Sequence, residues 1–370
     1  MISPKISQAI SKWGLETLSD DREGALREWT PEVCSELRDY FDNDLSRLLH
    51  DDYFLGLRRP RSDMATEENV LYDSHREDIL AIYEENKKRP INLVILIEGI
   101  GSGKTTLYSV MTWLEWIRLI CRYNPHKYYG LMKDEIIAFV AMNRSETQAK
   151  RVTLQKVFPK FRTPFNLDYF PPSKRRGQEI WIPRNNTLIF AGTSNAASAL
   201  GYNIFGGGVD EANFLETVEG SKRNASATET YDAAKEMHDA INGRMMSRFL
   251  NPITGHLDGM LFMISSSRYP DDFLEKKARE HFKLGEKSHI FVRRRSLWEA
   301  KPKWYFSGIT VPFNTKTKKI EADEETLQRL KNEAEAVRLD RQRTIAQNIL
   351  KESETVSAGD EDERRDDSSE

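Results

Sequence analysis

The 370-residue sequence predicts an α/β fold: a mostly parallel sheet with helices on both faces, preceded by a helical N-terminal region. Three observations carry that prediction. Continuous apolar runs, rather than alternating ones, recur at 92–98, 136–141, 187–191, 204–210 and 260–264, the mark of strands buried on both faces. Helical patterns separate several of these runs, notably at 104–122, 145–157 and 229–243. At 39% hydrophobic and 31% charged residues, a chain of this length buries a sizeable core.

In chain order, residues 1–65 read as short amphipathic helices with a basic loop at Arg58, Arg59 and Arg61. The run 92–98 (NLVILIE) is bounded by Pro90 and a glycine cluster, which makes it a buried strand. After it, Leu107, Val110, Met111, Leu114, Ile117 and Cys121 fall at helical spacing and form a core-packing stripe. A last strand at 288–293 leads into an irregular stretch rich in Trp, Tyr and Pro. Residues 321–350 form a charged helix with a thin apolar stripe, and the acidic tail 351–370, without aromatic residues, reads as disordered. The domain boundaries follow: 1–65 helical region, 66–310 core, 311–350 helical extension, 351–370 tail. There is no internal repeat.

Several function classes are excluded at this level. No apolar stretch reaches the ~20 residues of a membrane span, and the N-terminus lacks a signal-peptide apolar region, which predicts a soluble, cytosolic protein without a membrane partner. Cys34 and Cys121 are too few for a disulfide scaffold or a zinc cluster, and read as core thiols. The net charge of -3 is uneven. The tail holds nine acids against three bases, so residues 1–350 carry +3. The body is mildly basic.

The sharpest motif is Glu98-Gly99-Ile100-Gly101-Ser102-Gly103-Lys104-Thr105-Thr106, between the buried strand and the amphipathic helix. A glycine-rich turn at a helix N-terminus lets successive backbone N–H groups converge on phosphates. Lys104 reaches the β- and γ-phosphates of ATP, and the Thr105 hydroxyl holds Mg²⁺. This is a P-loop (Walker A) pattern, except that Glu98 stands where the first glycine belongs. Hydrolysis needs two more carboxylates, one on the Mg²⁺ shell and one to orient or deprotonate water. Asp210-Glu211, ending the run Ile204-Phe205-Gly206-Gly207-Gly208-Val209, supplies them: Asp210 on the metal, Glu211 as base. The three glycines make a poor strand by propensity, and allow close approach of a neighbouring element.

The run 260–264 ends in Ser265-Ser266-Ser267-Arg268. In additional-strand P-loop ATPases a polar residue at the tip of the strand beside the phosphate-loop strand senses the γ-phosphate, and Ser265 and Ser266 supply hydroxyls there; a plain turn closing the strand is the alternative. Transition-state charge also calls for an arginine, in cis or from a neighbouring subunit, with Arg144, Arg244 and Arg248 as candidates. Tyr72 and Arg76, upstream of the first strand, are candidates for the adenine.

In order, Gly-Ser-Gly-Lys-Thr-Thr, then Leu200-Gly201-Tyr202-Asn203-Ile204-Phe205-Gly206-Gly207-Gly208-Val209-Asp210-Glu211-Ala212-Asn213-Phe214, then Ser247-Arg248-Phe249, then Ile264-Ser265-Ser266-Ser267 resembles the ATPase half of tailed-bacteriophage terminase large subunits. Tyr53-Phe54-Leu55-Gly56 fits the same pattern, and the resemblance covers roughly 45–310. It implies a RecA-like core working as a homo-oligomeric ring on a viral portal protein in the host cytoplasm. It also implies ATP and Mg²⁺ as cofactors, double-stranded DNA as substrate and a small terminase subunit as partner. Two departures stand out. Many members carry a glycine and an arginine where this loop has Glu98 and Ile100. The family's large subunit also continues into an RNase H-like nuclease with metal-binding aspartates, and nothing after residue 310 offers a strand-borne set of them. The expectation is a split motor, its nuclease a separate subunit, or a truncated chain. No DNA cleavage is expected of this polypeptide alone, and Mg²⁺- or Mn²⁺-dependent nicking of plasmid DNA by the purified chain would overturn that.

Basic clusters at Arg58/Arg59/Arg61, Lys174-Arg175-Arg176, Arg293-Arg294-Arg295 and Lys316/Lys318/Lys319 are candidate phosphate contacts, with the second, read as an exposed loop after Pro171-Pro172, the first choice. Two other functions compete with the motor: a helicase-like DNA-dependent ATPase, and a weakly hydrolysing, nucleotide-gated assembly protein.

Overall fold

The computed structural model describes residues 26–59, 70–175, 179–192, 201–215, 217–218, 231–306 and a few stretches between 313 and 343. Residues 1–25 and the acidic tail lie outside the described residues, as do Arg61, Arg176, Lys316 and Lys318.

The apolar run after Pro90 is strand β1, Leu93–Glu98, buried at every position because it has a strand on each side and helices above and below. The other main-sheet strands are β2 Ile137–Met142, β3 Ser173–Arg175, β4 Glu179–Ile182, β5 Thr187–Gly192, β6 Asn203–Asp210, β7 Leu261–Ser265 and β8 Ile290–Arg295. Their order across the sheet is β8-β1-β7-β6-β2-β5-β4-β3. The first six run parallel, and β4 and β3 close one edge antiparallel. The five runs in the core and the strand near 290 are all strands, displaced by at most two residues from the sequence reading. Because the six are parallel, the loops after β1, β7, β6 and β2 all open on one rim, where ligands bind in open α/β sheets.

Strand β6 explains its own composition. An added Cβ on Gly206 would stand 2.7 Å from the Met260 carbonyl oxygen, on Gly207 2.2 Å from that of Val140, and on Gly208 2.5 Å from the Tyr108 ring. Close packing on three sides, not strand propensity, selects glycine. The pairing with β2 also shifts by one residue, since Ala138 faces Ile204 and Phe139 faces Gly206, leaving Phe205 as a bulge.

The helices are α1 Pro31–Asn43, α2 Leu45–His50, α3 Asp73–Lys88, α4 Lys104–Ile120, α5 Glu146–Val152, α6 Ala233–Arg248 and α7 Phe273–Leu284. Helix α4 is buried almost all round, as a helix sandwiched between the sheet and an outer layer must be. Tyr108 of α4 donates to the Val140 carbonyl (3.1 Å) and Trp113 Nε1 to Asn166 Oδ1 (2.8 Å), fixing α4 against the sheet and the outer layer. The outer layer includes Tyr53, Phe54, Phe165, Tyr169, Phe170 and Trp29, packed edge-to-face. Cys34 and Cys121 are buried free thiols, and burial pushes both up in pKa.

Two helices differ from expectation. The pattern at 145–157 is α5 followed by a π-helical turn, Thr153–Val157. The pattern at 229–243 begins at Ala233, because the Asp232 carboxylate accepts from the Ala234 and Lys235 N–H groups and caps the helix there; it runs on to Arg248.

The chain divides into two compact units, 1–58 with 73–300, and 59–72 with 301–370. In the second, Phe313–Asn314 pairs antiparallel with Lys319–Ile320, and residues 324–333 are helical. No helix among the described residues is long and apolar enough to cross a membrane.

Candidate active site

The turn after β1 adopts the conformation its glycines permit. Gly101 and Gly103 have φ of +79° and +96°, a region L side chains rarely enter, and the chain passes from Gly103 directly into α4. A glycine turn leading straight into a helix N-terminus is an arrangement suited to an anion of several oxygens. Lys104 is buried, its Nζ donating to the Gly99 carbonyl (3.0 Å), the Glu98 carbonyl (3.3 Å) and Ser266 Oγ (3.0 Å). An ammonium held on carbonyls and a hydroxyl, with no ion pair to a carboxylate among the described residues, is placed to receive a phosphate. Ser102 Oγ is buried inside the loop, where its hydroxyl helps hold the Glu98 carboxyl below the usual range. Ile100 stands at the loop's exposed tip and Thr106 N–H donates to the Gly103 carbonyl (2.9 Å).

Across the rim, Thr105 Oγ1 lies 3.4 Å from Asp210 Oδ2, at the end of β6. Burial raises the Asp210 carboxyl to about 6, with the neighbouring Glu211 charge adding to it. A hydroxyl and a buried carboxylate with spare lone pairs are hard oxygen donors, and they fit Mg²⁺, whose charge would offset the cost of keeping Asp210 ionised. Glu211 follows in the left-handed region (φ 56°, ψ 37°), and its N–H donates to Asp210 Oδ1 (2.9 Å). For a non-glycine residue that conformation costs about 1–2 kcal/mol. It gives Glu211 a direction different from that of Asp210.

Strand β7 lies between β1 and β6, so the serines at its end sit between the lysine and the carboxylates. Ser266 Oγ meets Lys104, and Ser265 Oγ accepts from the Asn213 N–H (3.1 Å). The Asn213 amide nitrogen donates to the Ser266 carbonyl (3.1 Å), while its buried Oδ1 has no partner among the described residues. Three loops are thus stitched together. Asn213, quoted in the sequence motif without a role, is the stitch; the signal was a polar residue in a turn whose neighbours are all apolar or acidic.

The departure at Glu98 has a structural partner. Its carboxylate is buried at the end of β1, with Oε2 3.2 Å from His75 Nε2 of α3. Burial opposes ionisation there, but His75 outweighs it and holds the carboxyl below the usual range. A glutamate ending an apolar strand needs such a partner, so a histidine on the preceding helix was findable.

The arginine candidates separate. Arg144 follows β2, on the same rim and one strand beyond Asp210, and its side chain is exposed. Arg248 and Arg244 end α6 at the opposite edge: Phe249 packs on Phe205, near the start of β6, at 5.3 Å between ring centroids. Five strand residues, ~16 Å, separate Phe205 from Asp210, so Arg248, beside Phe249, leaves its helix at the end of β6 away from this chain's own phosphate loop. Arg76 is not available to an adenine either, being buried with His50 Nε2 at 3.3 Å and ion-paired to Asp73.

Two basic clusters also differ from expectation. Arg293 and Arg295 pair with buried Asp78 (both 2.7 Å) and Arg294 with Glu275, so this run anchors α3 and α7 to β8. Lys174 and Arg175 belong to β3 rather than to a loop. Their backbone forms the sheet's edge.

A strand, a glycine turn and a helix around an inward lysine, opposite a carboxylate on a neighbouring parallel strand, define a P-loop domain. The family model described as Uncharacterized protein MJ0330, N-terminal P-loop domain, matches residues 66–322, and the chain belongs to that family. No curated protein matches the sequence. Among solved structures, the chain is similar to the HK97 bacteriophage large terminase (14% identity, TM-score 0.41, 62% of this chain and 40% of that one). It is also similar to an arginine-to-alanine mutant of the Thermus phage P74-26 large terminase ATPase domain (13% identity, TM-score 0.42, 71% of this chain and 89% of that one). The chain thus spans less than half the length of the HK97 protein.

Proposed function

We propose that this chain is an ATP-hydrolysing motor subunit that moves double-stranded viral DNA into a procapsid. The observation that carries the hydrolytic part is the convergence of Lys104, Ser266, Thr105, Asp210 and Glu211 on one rim of the sheet. In this reading the loop 99–106 and Lys104 hold the β- and γ-phosphates, and Thr105 and Asp210 hold Mg²⁺, which neutralises developing phosphate charge when bound. Glu211 takes the proton of the attacking water, and Ser265 and Ser266 carry the state of the γ-phosphate into β7. The packaging role rests on the resemblance of the 200–214 and 264–267 segments to terminase large subunits. A ring on a portal protein, a small terminase subunit and the host cytoplasm belong to the same proposal. An arginine on the γ-phosphate is then Arg144 in cis, or Arg248 from a neighbouring copy.

The test is steady-state phosphate release with and without linear duplex DNA. We expect Mg²⁺-dependent turnover stimulated by DNA, and a fall of ~10²–10³-fold in Glu211→Gln with ATP still bound. Unchanged turnover in that variant would remove Glu211 from the mechanism. Turnover indifferent to DNA of any length would remove the motor.

A further inference from the structure

We propose that Trp298 is the platform on which the nucleobase of the bound nucleotide stacks; this rests on the nucleotide reading above and extends it to the base. The groups suited to the terminal phosphates and cation, namely Ser266, Thr105 and Asp210, all lie on the β7 and β6 side of β1. A triphosphate anchored there leaves the loop on its other side, over β8, and carries the sugar and base with it. Strands are spaced ~4.8 Å apart, so a nucleoside crosses the width of one strand to clear β1.

On that side the chain lies directly against the loop. Gly99 N–H donates to the Arg295 carbonyl (3.1 Å), and a Cβ on Gly99 would stand 3.0 Å from the Leu297 nitrogen. Residues 297–300 form one helical turn held at both ends. Ser296 N–H and Oγ bond Glu299 Oε2 (2.7 and 2.6 Å), and Ser74 Oγ donates to the Ala300 carbonyl (2.5 Å). The residue after Leu297 is Trp298, 71% exposed, whereas Trp113 and Trp116 are fully buried. Tryptophan is among the most buried side chains on average, and an exposed indole fixed one residue from a phosphate loop offers a flat apolar face to a heterocycle. Arg76 is already engaged, and Tyr269, an exposed aromatic that follows β7, stands on the phosphate side of β1, so among the described residues on the β8 side Trp298 offers that face. Stacking is tolerant of base identity, which makes the ligand a nucleoside triphosphate held by its phosphates and selected weakly at its base.

The experiment compares ATP with inorganic tripolyphosphate, binding each to the full chain by titration calorimetry. Trp298→Ala is expected to weaken ATP about tenfold or more and leave tripolyphosphate unchanged, with Trp298→Phe recovering most of the loss. ATP, but not tripolyphosphate, is also expected to change the indole fluorescence of the wild type, and that difference to shrink in Trp298→Phe. Equal weakening of both ligands in Trp298→Ala, or unchanged ATP affinity, overturns the proposal while leaving the phosphate site standing. Failure of the wild type to bind either ligand would instead fell the nucleotide reading itself.

Discussion

Two buried carboxylates show how this chain treats structure and chemistry differently. Glu115, in the middle of α4, is fully buried with both oxygens engaged: Oε1 accepts from Tyr83 OH (2.9 Å), Oε2 from Arg118 (2.8 Å) and from the Met260 N–H (3.1 Å). Asp210, at the end of β6, is nearly as buried, yet among the described residues its hydrogen bonds are the Glu211 N–H at 2.9 Å and a long contact to Thr105 at 3.4 Å. It also has Glu211 beside it, which adds repulsion that Glu115 does not meet. Glu115 ties α3, α4 and the entry to β7 together and leaves nothing open. Among the described residues Asp210 is left short of partners on a rim, an environment that suits a cation.

That difference predicts opposite signs on mutation. Glu115→Ala strands three donors in the core, one of them a charged guanidinium, and is expected to cost ~3–5 kcal/mol of stability. The measurement is a urea midpoint; a loss below ~1 kcal/mol would break the comparison by showing that Glu115 is no clamp. Asp210→Asn keeps the shape and removes a poorly compensated charge. It is expected to leave stability unchanged or raise it by ~1–3 kcal/mol, with hydrolysis lost. A clear fall in the unfolding midpoint of this variant would mean that Asp210 is structural after all.

What could be read beforehand follows the same division. The buried strands and the loop of Gly99 to Thr106 were legible because backbone geometry dictates residue type there: apolar runs where strands have neighbours on every side, glycine where φ is positive. The glycines of β6 were legible as close approach, though not which backbone approached them. Charge runs were not legible, because a sequence of arginines does not say what lies opposite. Arg293 to Arg295 found Asp78 and Glu275, contributed by α3 and α7, more than 200 residues upstream and about 20 upstream respectively. Whether Arg248 would act in cis or from a neighbouring subunit was not legible for a related reason: it depends on which end of the sheet the last turn of α6 meets, and Phe249 packs near the start of β6. Long-range partners decide these cases, and local pattern is silent about them.

The smallest expected effect is the most discriminating. Asn213 joins the two halves of the site, its N–H on Ser265 Oγ and its amide nitrogen on the Ser266 carbonyl, while Ser266 holds Lys104. Among the described residues its hydrogen bonds go to the two serines assigned to sensing the γ-phosphate and not to Lys104, Thr105 or Asp210, so it acts through those serines as a positioning residue. Asn213→Ala removes one hydrogen bond between the Glu211 turn and β7 and keeps the backbone bond to Ser265. The loss should appear as a kcat about tenfold lower, ~1.4 kcal/mol, with KM for ATP little changed. A variant that merely loosened the fold would raise KM along with lowering kcat, and would lower the unfolding midpoint in step. Adding Ser265→Ala severs the second bond; if the two act as one linkage, the double variant should lose less than the product of the single losses, because breaking either bond already frees the turn. Independent, multiplying effects would show instead that the turn and the strand respond to nucleotide separately, and that the open valence of Asp210 is not coupled to β7 through this residue.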